Sequence, residues 1–197
     1  MKRIILGLIC AITLGSCSNK EVSTDVSIDK KNENSLEHNA EDNKTIKAPS
    51  FTYTDINGKS VSLNDFKGKL VYMDIWATWC GPCKMQIPGL KALEEKYKNE
   101  DIVILSISID PLEDKDKWRK MVIDKNLKGV QLYAGAESDF PKDYQVEFIP
   151  RFVIISPNGD ILMNNAPQPL NLDTGYINPN VEQIFDIFIK TNKKATS

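Results

Sequence analysis

Two mostly apolar runs stand out in the middle of the chain. Lys69–Trp76 and Ile102–Ile109 carry few polar residues, which predicts two buried strands at the centre of a sheet. Between them, Cys80 to Tyr97 follows a helical period, and Pro88 inside this stretch predicts a kinked helix. The apolar face of that helix is predicted to contain Met85, Ile87, Leu90, Leu93 and Tyr97.

Turn signals predict one hairpin before these strands and another after them. Phe51–Thr54 and Ser60–Leu63 flank Asn57-Gly58, a dipeptide that favours tight hairpin turns. Later in the chain, Arg151–Ser156 and Asp160–Met163 flank a second Asn-Gly turn. Each pair of segments therefore predicts two antiparallel strands.

The remaining pattern predicts shorter elements and a closing helix. A charged helix over Glu113–Asn126 should turn Trp118 inward. A short strand follows over Gln131–Tyr133, then a helical turn over Phe140–Tyr144, and a final helix from Pro179. Strands that alternate with helices and end in a hairpin predict an α/β fold, with a mixed central sheet flanked by helices.

The N-terminus has the pattern of an exported lipoprotein. Lys2-Arg3 precedes an apolar run, Ile4–Leu14, which suits a secretory signal but is too short to span a bilayer as a mature helix. The run ends in a Leu-Gly-Ser-Cys sequence that resembles the lipobox of bacterial lipoproteins. Residues 1–16 are therefore predicted to be a signal peptide and Cys17 a lipidated residue that anchors the protein. The alternative is a plain signal peptide with a chance cysteine.

Residues 17–48 are predicted to form a flexible tether behind the lipidated cysteine. From Ser18 to Ala48 the sequence has no aromatic residue and few aliphatic ones, so it cannot bury enough apolar surface to offset its ordering entropy. His38, the single histidine of the chain, lies in this segment and is interpreted as incidental. The folded domain is predicted over residues 49–197.

Composition narrows the classes of function. The chain has 197 residues, and its hydrophobic content of 41% is sufficient for a globular core. Its formal net charge of -2 gives no electrostatic footprint for a nucleic-acid partner. Of four cysteines, Cys10 would be removed with the signal and Cys17 modified by lipid. Cys80 and Cys83 are then the remaining thiols, in a compartment that permits disulfides.

The pair Cys80 and Cys83 admits several interpretations. A structural zinc site needs four nitrogen or sulfur ligands, and the predicted domain offers two cysteines and no histidine. The missing histidine also argues against a copper-delivery module, and neither a metal nor another cofactor is expected. A purely structural disulfide over so short a loop would add little chain-entropy stabilisation. A redox-active dithiol is the interpretation with positive physical support.

That support comes from the position of the pair at the start of a predicted helix. Free backbone N–H groups and the helix dipole favour a thiolate there and lower the pKa of the Cys80 thiol. Pro82 in the first turn costs no hydrogen bond. Trp79 is predicted to pack beside the sulfurs, with an ordinary, partly exposed aromatic residue as the alternative.

The run Asp74-Ile75-Trp76-Ala77-Thr78-Trp79-Cys80-Gly81-Pro82-Cys83-Lys84-Met85 closely resembles the active-site region of thioredoxins. Phe148-Ile149-Pro150-Arg151-Phe152 resembles the segment that carries the family's cis-proline, although Arg151 replaces the usual threonine, which is expected to alter substrate contacts. The early hairpin, an inserted helix around Trp118 and the lipoprotein signal narrow the resemblance to the TlpA/ResA branch. It implies a thioredoxin-like fold over most of residues 48–193, and it leaves residues 164–178 unassigned.

The resemblance also implies roles for individual residues. Cys80 would be the exposed nucleophile and Cys83 the buried resolving thiol. Asp74 would be a buried acid–base group that acts on Cys83 through a water, with a solvated carboxylate at the rim of the sheet as the alternative. Substrate contacts are implied for Trp79, Gly81, Pro82, Ile149 and Pro150. A second acid of the branch would correspond to Asp110 or Glu113, although helix capping is the favoured interpretation for both.

The Gly81-Pro82 dipeptide is typical of reducing thioredoxins. The predicted function is therefore a protein-disulfide reductase of the cell envelope, lipid-anchored with its domain in the periplasm. Its expected partners are disulfide-containing exported proteins and a membrane electron donor. Alternatives are an oxidase or isomerase of the same fold, a redox-inert adaptor lipoprotein, or a peroxidase, although the lone peroxidatic cysteine pattern of the last is absent.

Overall fold

A computed structural model describes residues 45–195 of the chain. The predicted signal peptide, Cys17 and nearly all of the predicted tether, including His38, lie outside the described residues. The seven strands are β1 Thr52–Asp55, β2 Ser60–Ser62, β3 Leu70–Trp76, β4 Ile102–Ser108, β5 Val130–Tyr133, β6 Arg151–Ile155 and β7 Ile161–Met163. They form one sheet in the order β2-β1-β5-β4-β3-β6-β7.

The sheet is mixed, as predicted. Strand β3 pairs in parallel with β4, and β4 pairs in parallel with β5, whereas the remaining pairs are antiparallel. All seven residues of β3 are buried, because β4 and β6 flank it and both faces of the sheet are covered. The two predicted hairpins are β1–β2 and β6–β7.

Within residues 45–195, four helices cover the sheet: α1 Gly81–Tyr97, α2 Lys115–Asp124, α3 Phe140–Asp143 and α4 Pro179–Ala195. Single 3₁₀ turns lie at Leu63–Phe66 and Leu112–Asp114. Alternate residues of β3 enter different cores. Leu70 and Tyr72 pack with residues of α1 and α4, whereas Val71 and Met73 pack with α3 and the first hairpin on the other face. None of the described helices has the length and hydropathy that crossing a membrane requires.

The buried face of α1 differs from the predicted one at two positions. Met85 is 50% exposed, so its assignment to the apolar face is wrong, whereas Gln86 is buried. The Gln86 amide can be buried because the Gln86 side chain donates to Gln168 Oε1 at 2.8 Å and accepts from the Leu170 N–H at 3.0 Å. The segment 164–178, which sequence patterns leave unassigned, therefore packs on α1.

Pairing begins three residues ahead of the predicted start of the domain at Pro49. The Ile161 N–H donates to the Ile46 carbonyl at 2.8 Å, and the Ala48 N–H donates to the Gly159 carbonyl at 2.9 Å. Between them, Lys47 Nζ lies 2.7 Å from an Asp160 carboxylate oxygen. The end of the predicted tether thus adds a short antiparallel segment beside β7.

Candidate functional site

Cys80 and Cys83 form a disulfide at the start of α1. Their Cα atoms are 5.3 Å apart. Cys80 caps the helix, since its sulfur accepts a hydrogen bond from the Cys83 N–H at 3.1 Å. Strand β3 ends at Trp76, and the short turn that follows brings the pair to the end of the sheet. The sulfur of Cys80 is therefore at the positive end of the helix dipole, as the sequence predicts.

The exposure predicted for Cys80 is wrong for this oxidised form. Cys80 and Cys83 are each 4% exposed, because both belong to a cluster that includes Trp118 and Tyr133. The accessible surface around the sulfurs comes from their neighbours: Gly81 and Pro82 are exposed, and Trp79 is 59% exposed. Trp79 thus fits the alternative of a largely exposed aromatic residue.

Asp74 is buried in the middle of the sheet, not solvated at its rim. Burial raises its pKa to about 7, against a hydrogen bond from the Ser106 hydroxyl that favours the ionised form. The Ser106 oxygen lies 3.2 Å from Asp74 Oδ2. A carboxyl group with this pKa can both accept and donate a proton near neutral pH.

A small cavity connects Asp74 with Cys83. Its volume is about 20 Å³, which is enough for one water molecule, and Trp76, Ser106 and Gln131 also line it. Trp76 Nε1 and Gln131 Oε1 are buried and have no hydrogen-bond partner among the described residues. Sequence reasoning missed both side chains, although a glutamine inside the short strand β5 was an available signal.

The peptide bond between Ile149 and Pro150 is cis, as predicted. In the antiparallel register of β3 and β6, Ile75 lies opposite Arg151, so Pro150 comes next to the end of β3 that leads to the cysteines. Ile149 packs against the cluster that contains both cysteines. Phe148, which sequence reasoning did not assign to the site, is 58% exposed.

Arg151 points into the protein instead of towards a substrate. Its side chain is largely buried, with Nη1 donating to the Asn164 carbonyl at 2.7 Å and Nη2 to the Gln145 carbonyl at 3.4 Å. The arginine that replaces the usual threonine therefore holds two backbone segments together. It ties the cis-proline loop to the start of segment 164–178.

Asp110 holds the turn that leads to Cys80. Its fully buried carboxylate accepts hydrogen bonds from the Thr78 N–H at 2.9 Å, the Thr78 hydroxyl at 2.7 Å and the Ser108 hydroxyl at 2.7 Å. The favoured interpretation of Asp110 as a helix cap is wrong, because Pro111 and Asp114 occupy the cap positions of the next two helical segments. Glu113 is exposed.

The described residues contain no group of three or more His, Cys, Asp or Glu side chains placed to hold a metal ion.

Comparisons with known proteins point in one direction. The model of the AhpC/TSA family matches residues 45–163. The thiol-disulfide oxidoreductase ResA of Bacillus thuringiensis subsp. konkukian is 34% identical over 116 residues, which cover 58% of this chain and 65% of the relative. The ResA of Oceanobacillus iheyensis is 32% identical over 154 residues, which cover 70% of this chain and 75% of that relative.

Among solved structures, a candidate thiol-disulfide oxidoreductase from Bacteroides vulgatus has a TM-score of 0.58 and 45% identity. The match covers 68% of this chain and 86% of that one.

Proposed function

The chain belongs to the AhpC/TSA family of thioredoxin-like proteins, and from this premise we propose that it is a thiol–disulfide oxidoreductase that reduces disulfides of exported proteins. The observation that carries the proposal is the Cys80–Cys83 disulfide at the start of α1, joined by a cavity to Asp74. A redox-inert adaptor would need neither the pair nor a buried carboxyl group beside it.

Reduction proceeds through a mixed disulfide. The Cys80 thiolate attacks one sulfur of the partner's disulfide, the partner's other sulfur leaves as a thiolate, and a bond forms between Cys80 and the partner. The Cys83 thiolate then attacks Cys80 Sγ, which releases the second partner thiolate and leaves the Cys80–Cys83 disulfide. The partner thereby gains two electrons and, at neutral pH, two protons. A dithiol donor at the membrane restores the cysteines by the reverse exchange.

Asp74 accepts the proton of Cys83 in the second step. The cavity between them provides room for one water, which the orphaned Trp76 Nε1 and Gln131 Oε1 would orient. A pKa of about 7 lets Asp74 take this proton without a large energetic cost, and return it when the donor reduces the disulfide. The surface that a partner contacts is formed by Trp79, Gly81 and Pro82 beside the cysteines in the chain, together with Ile149 and Pro150.

The direction of electron flow is tested by the reduction potential of the protein. A reductase with a Cys-Gly-Pro-Cys sequence is expected near the thioredoxin value of roughly −270 mV, whereas a dedicated oxidant lies near roughly −120 mV. Equilibration of the full-length protein in dithiothreitol or glutathione buffers gives the potential, and insulin precipitation gives the reductase activity. A potential near the oxidant value, or no turnover of insulin with both cysteines intact, would contradict the reductase assignment.

A trapping variant separates an enzyme from an adaptor. With Cys83→Ala, the resolving step is lost and mixed disulfides with Cys80 should accumulate in cells. Their recovery under non-reducing conditions identifies the partners. The double variant with Cys80→Ala is the control and should recover none. If both variants recover the same proteins, the redox-inert adaptor is the better explanation.

A further inference from the structure

A groove of about 410 Å³ lies beside the cysteines, between Trp79 and one face of α2. We infer that this Trp79–α2 groove binds an extended segment of the oxidised partner, with an apolar side chain next to the reacting cysteine and an acidic residue beside it. The inference rests on the proposed function and names the class of segment that the site selects.

The floor of the groove is apolar. Trp79 immediately precedes Cys80 and exposes 59% of its surface, and Met121 of α2 lies partly buried opposite it. The aliphatic stems of the lysines at the rim add to this surface. An aliphatic or aromatic side chain placed here would remove the exposed indole from water, which is favourable.

The rim of the groove carries a net positive charge. Of its lysines, Lys117 pairs with Asp114 at 2.5 Å and Lys120 pairs with Asp124 at 2.7 Å. Lys125 also lines the groove and takes part in none of the ion pairs of the described residues. Its ammonium group is therefore available to a carboxylate of the partner.

The position of the groove selects a polypeptide as its occupant. Disulfide exchange fixes one partner cysteine at Cys80, and Trp79 is the adjacent residue. In an extended chain, neighbouring residues are about 3.3–3.6 Å further on, so residues that flank the partner's cysteine would come next to Trp79 and the groove.

The test uses peptide dimers joined by one disulfide and the full-length reduced protein. The first kind of dimer has leucine and aspartate on the two sides of its cysteine and is made in both orders. The second kind has serine and lysine at these positions. The wild-type protein should reduce the leucine–aspartate dimer about fivefold faster or more, because a buried leucine and a new ion pair both favour its complex. Lys125→Glu should remove or reverse this preference.

Arg119→Glu provides the matched control. This substitution makes the same change of charge at an exposed position of α2, the helix that Lys125 directly follows, but Arg119 does not line the groove. This variant should keep the wild-type preference. Equal rate constants for the two dimers, or equal effects of the two variants, would overturn the inference. The inference would also be overturned if the molecular mass of the wild-type protein in solution rises with concentration and Lys125→Glu abolishes this rise. That result would show that the groove binds a second copy of the chain. If the wild-type protein reduces neither dimer nor insulin, the proposed function itself fails.

Discussion

At the scale of single residues, two buried carboxylates serve the site in different ways. Asp74 lies in the central strand and lines the same cavity as Cys83, so it can exchange a proton with Cys83 in the proposed reaction. Asp110 lies one strand away and contacts the chain two residues before Cys80, so it acts on the position of the nucleophile. Both are almost inaccessible to solvent, and each can be tested by a change that keeps the shape of the side chain.

Replacing Asp74 should slow the resolving step. In Asp74→Asn, attack of Cys83 on a preformed mixed disulfide at Cys80 should be about 100-fold slower, because no carboxylate accepts the proton. The wild-type rate should rise with pH through about 7, and this rise should be absent from the variant. Release of thionitrobenzoate from Cys80 measures the step. Ser106→Ala removes a bond that lowers the pKa of Asp74, so it should move the rise to higher pH; an unmoved profile would exclude Asp74 as its origin.

The pKa of Asp74 also predicts how stability depends on pH. Its pKa is about 7 in the folded protein and 3.8 in the unfolded reference, so the folded state binds more protons between these values. Stability contributed by Asp74 is therefore full below about pH 4 and is lost as the pH rises to about 7. At about 1.4 kcal/mol per pKa unit, the loss is at most about 4 kcal/mol.

In the oxidised state, the unfolding free energy of Asp74→Asn should increase relative to that of the wild type as the pH is raised from 4 to 8. Urea unfolding at both values gives the difference. Other ionisable groups cancel in the comparison, so an equal stability difference at both pH values would contradict the raised pKa.

Asp110 should position the nucleophile. Asp110→Ala leaves the buried Thr78 N–H and two hydroxyls without their acceptor, which should cost about 2–3 kcal/mol of unfolding free energy. Because the turn before Cys80 then loosens, we also expect the thiol pKa of Cys80 to change, and thiolate absorbance at 240 nm measures it. Asp110→Asn should restore part of the unfolding free energy and part of the wild-type pKa of the Cys80 thiol. Glu113→Gln, at an exposed position, should change neither the unfolding free energy nor the pKa of the Cys80 thiol. If the pKa of the Cys80 thiol is unchanged in Asp110→Ala, the role of Asp110 is purely structural.

At the scale of elements, the site depends on how segment 164–178 packs against α1. Gly89 faces this segment so closely that an added Cβ would lie 2.7 Å from the Leu170 nitrogen and 2.8 Å from the Pro169 carbonyl carbon. One turn earlier in the helix, Gln86 is bonded to the same segment. The segment therefore stabilises the middle of the helix whose first turn carries the cysteines.

A single methyl group tests this contact. Gly89→Ala should lower the unfolding free energy by about 1–3 kcal/mol, because the backbone of the segment must move. Gly81→Ala is the matched control, since its Cβ would meet nothing within 4 Å. Both variants exchange a glycine of α1 for alanine, so they share the chemical change and differ in the contact with segment 164–178. Chemical denaturation measures the unfolding free energy of each variant. Equal values for the two variants would show that segment 164–178 moves away from α1 without an energetic cost.

At the scale of the whole molecule, we propose that a lipid anchor at Cys17 holds the domain at the membrane, in the cell envelope and facing the periplasm. The proposal rests on the apolar run and the lipobox-like sequence of the N-terminus, and on no part of the described structure.

Removing the proposed acceptor of lipid should detach the protein. Cys17→Ser should move the protein from the membrane fraction to the soluble fraction, because the acyl chains supply the affinity for the bilayer. Fractionation and detergent phase partition with immunodetection measure the change. Cys10→Ser should leave the protein with the membranes, since Cys10 lies in the part predicted to be removed. Retention of Cys17→Ser at the membrane would contradict the anchor.

Much of the fold follows from local patterns. The strands around Met73 and Leu105, both hairpins and the closing helix were predicted within one or two residues, because their apolar periods and turn residues are local properties of the chain. The helix that starts after Cys80 was also predicted, and its buried face differs from the predicted one only at Met85 and Gln86. Gln86 is buried only because a segment about 80 residues later supplies its hydrogen-bond partners.

The groups that carry the chemistry can be identified from the sequence: two cysteines at the start of a helix, a carboxylate in the strand before them and a proline facing them. The properties of those groups depend on the folded structure. The pKa of Asp74, the cavity that joins it to Cys83, the hold of Asp110 on Thr78 and the low exposure of Cys80 all arise from contacts between residues distant in sequence. Solvation and hydrogen bonding depend on what surrounds a group in space, and spacing along the chain does not specify it.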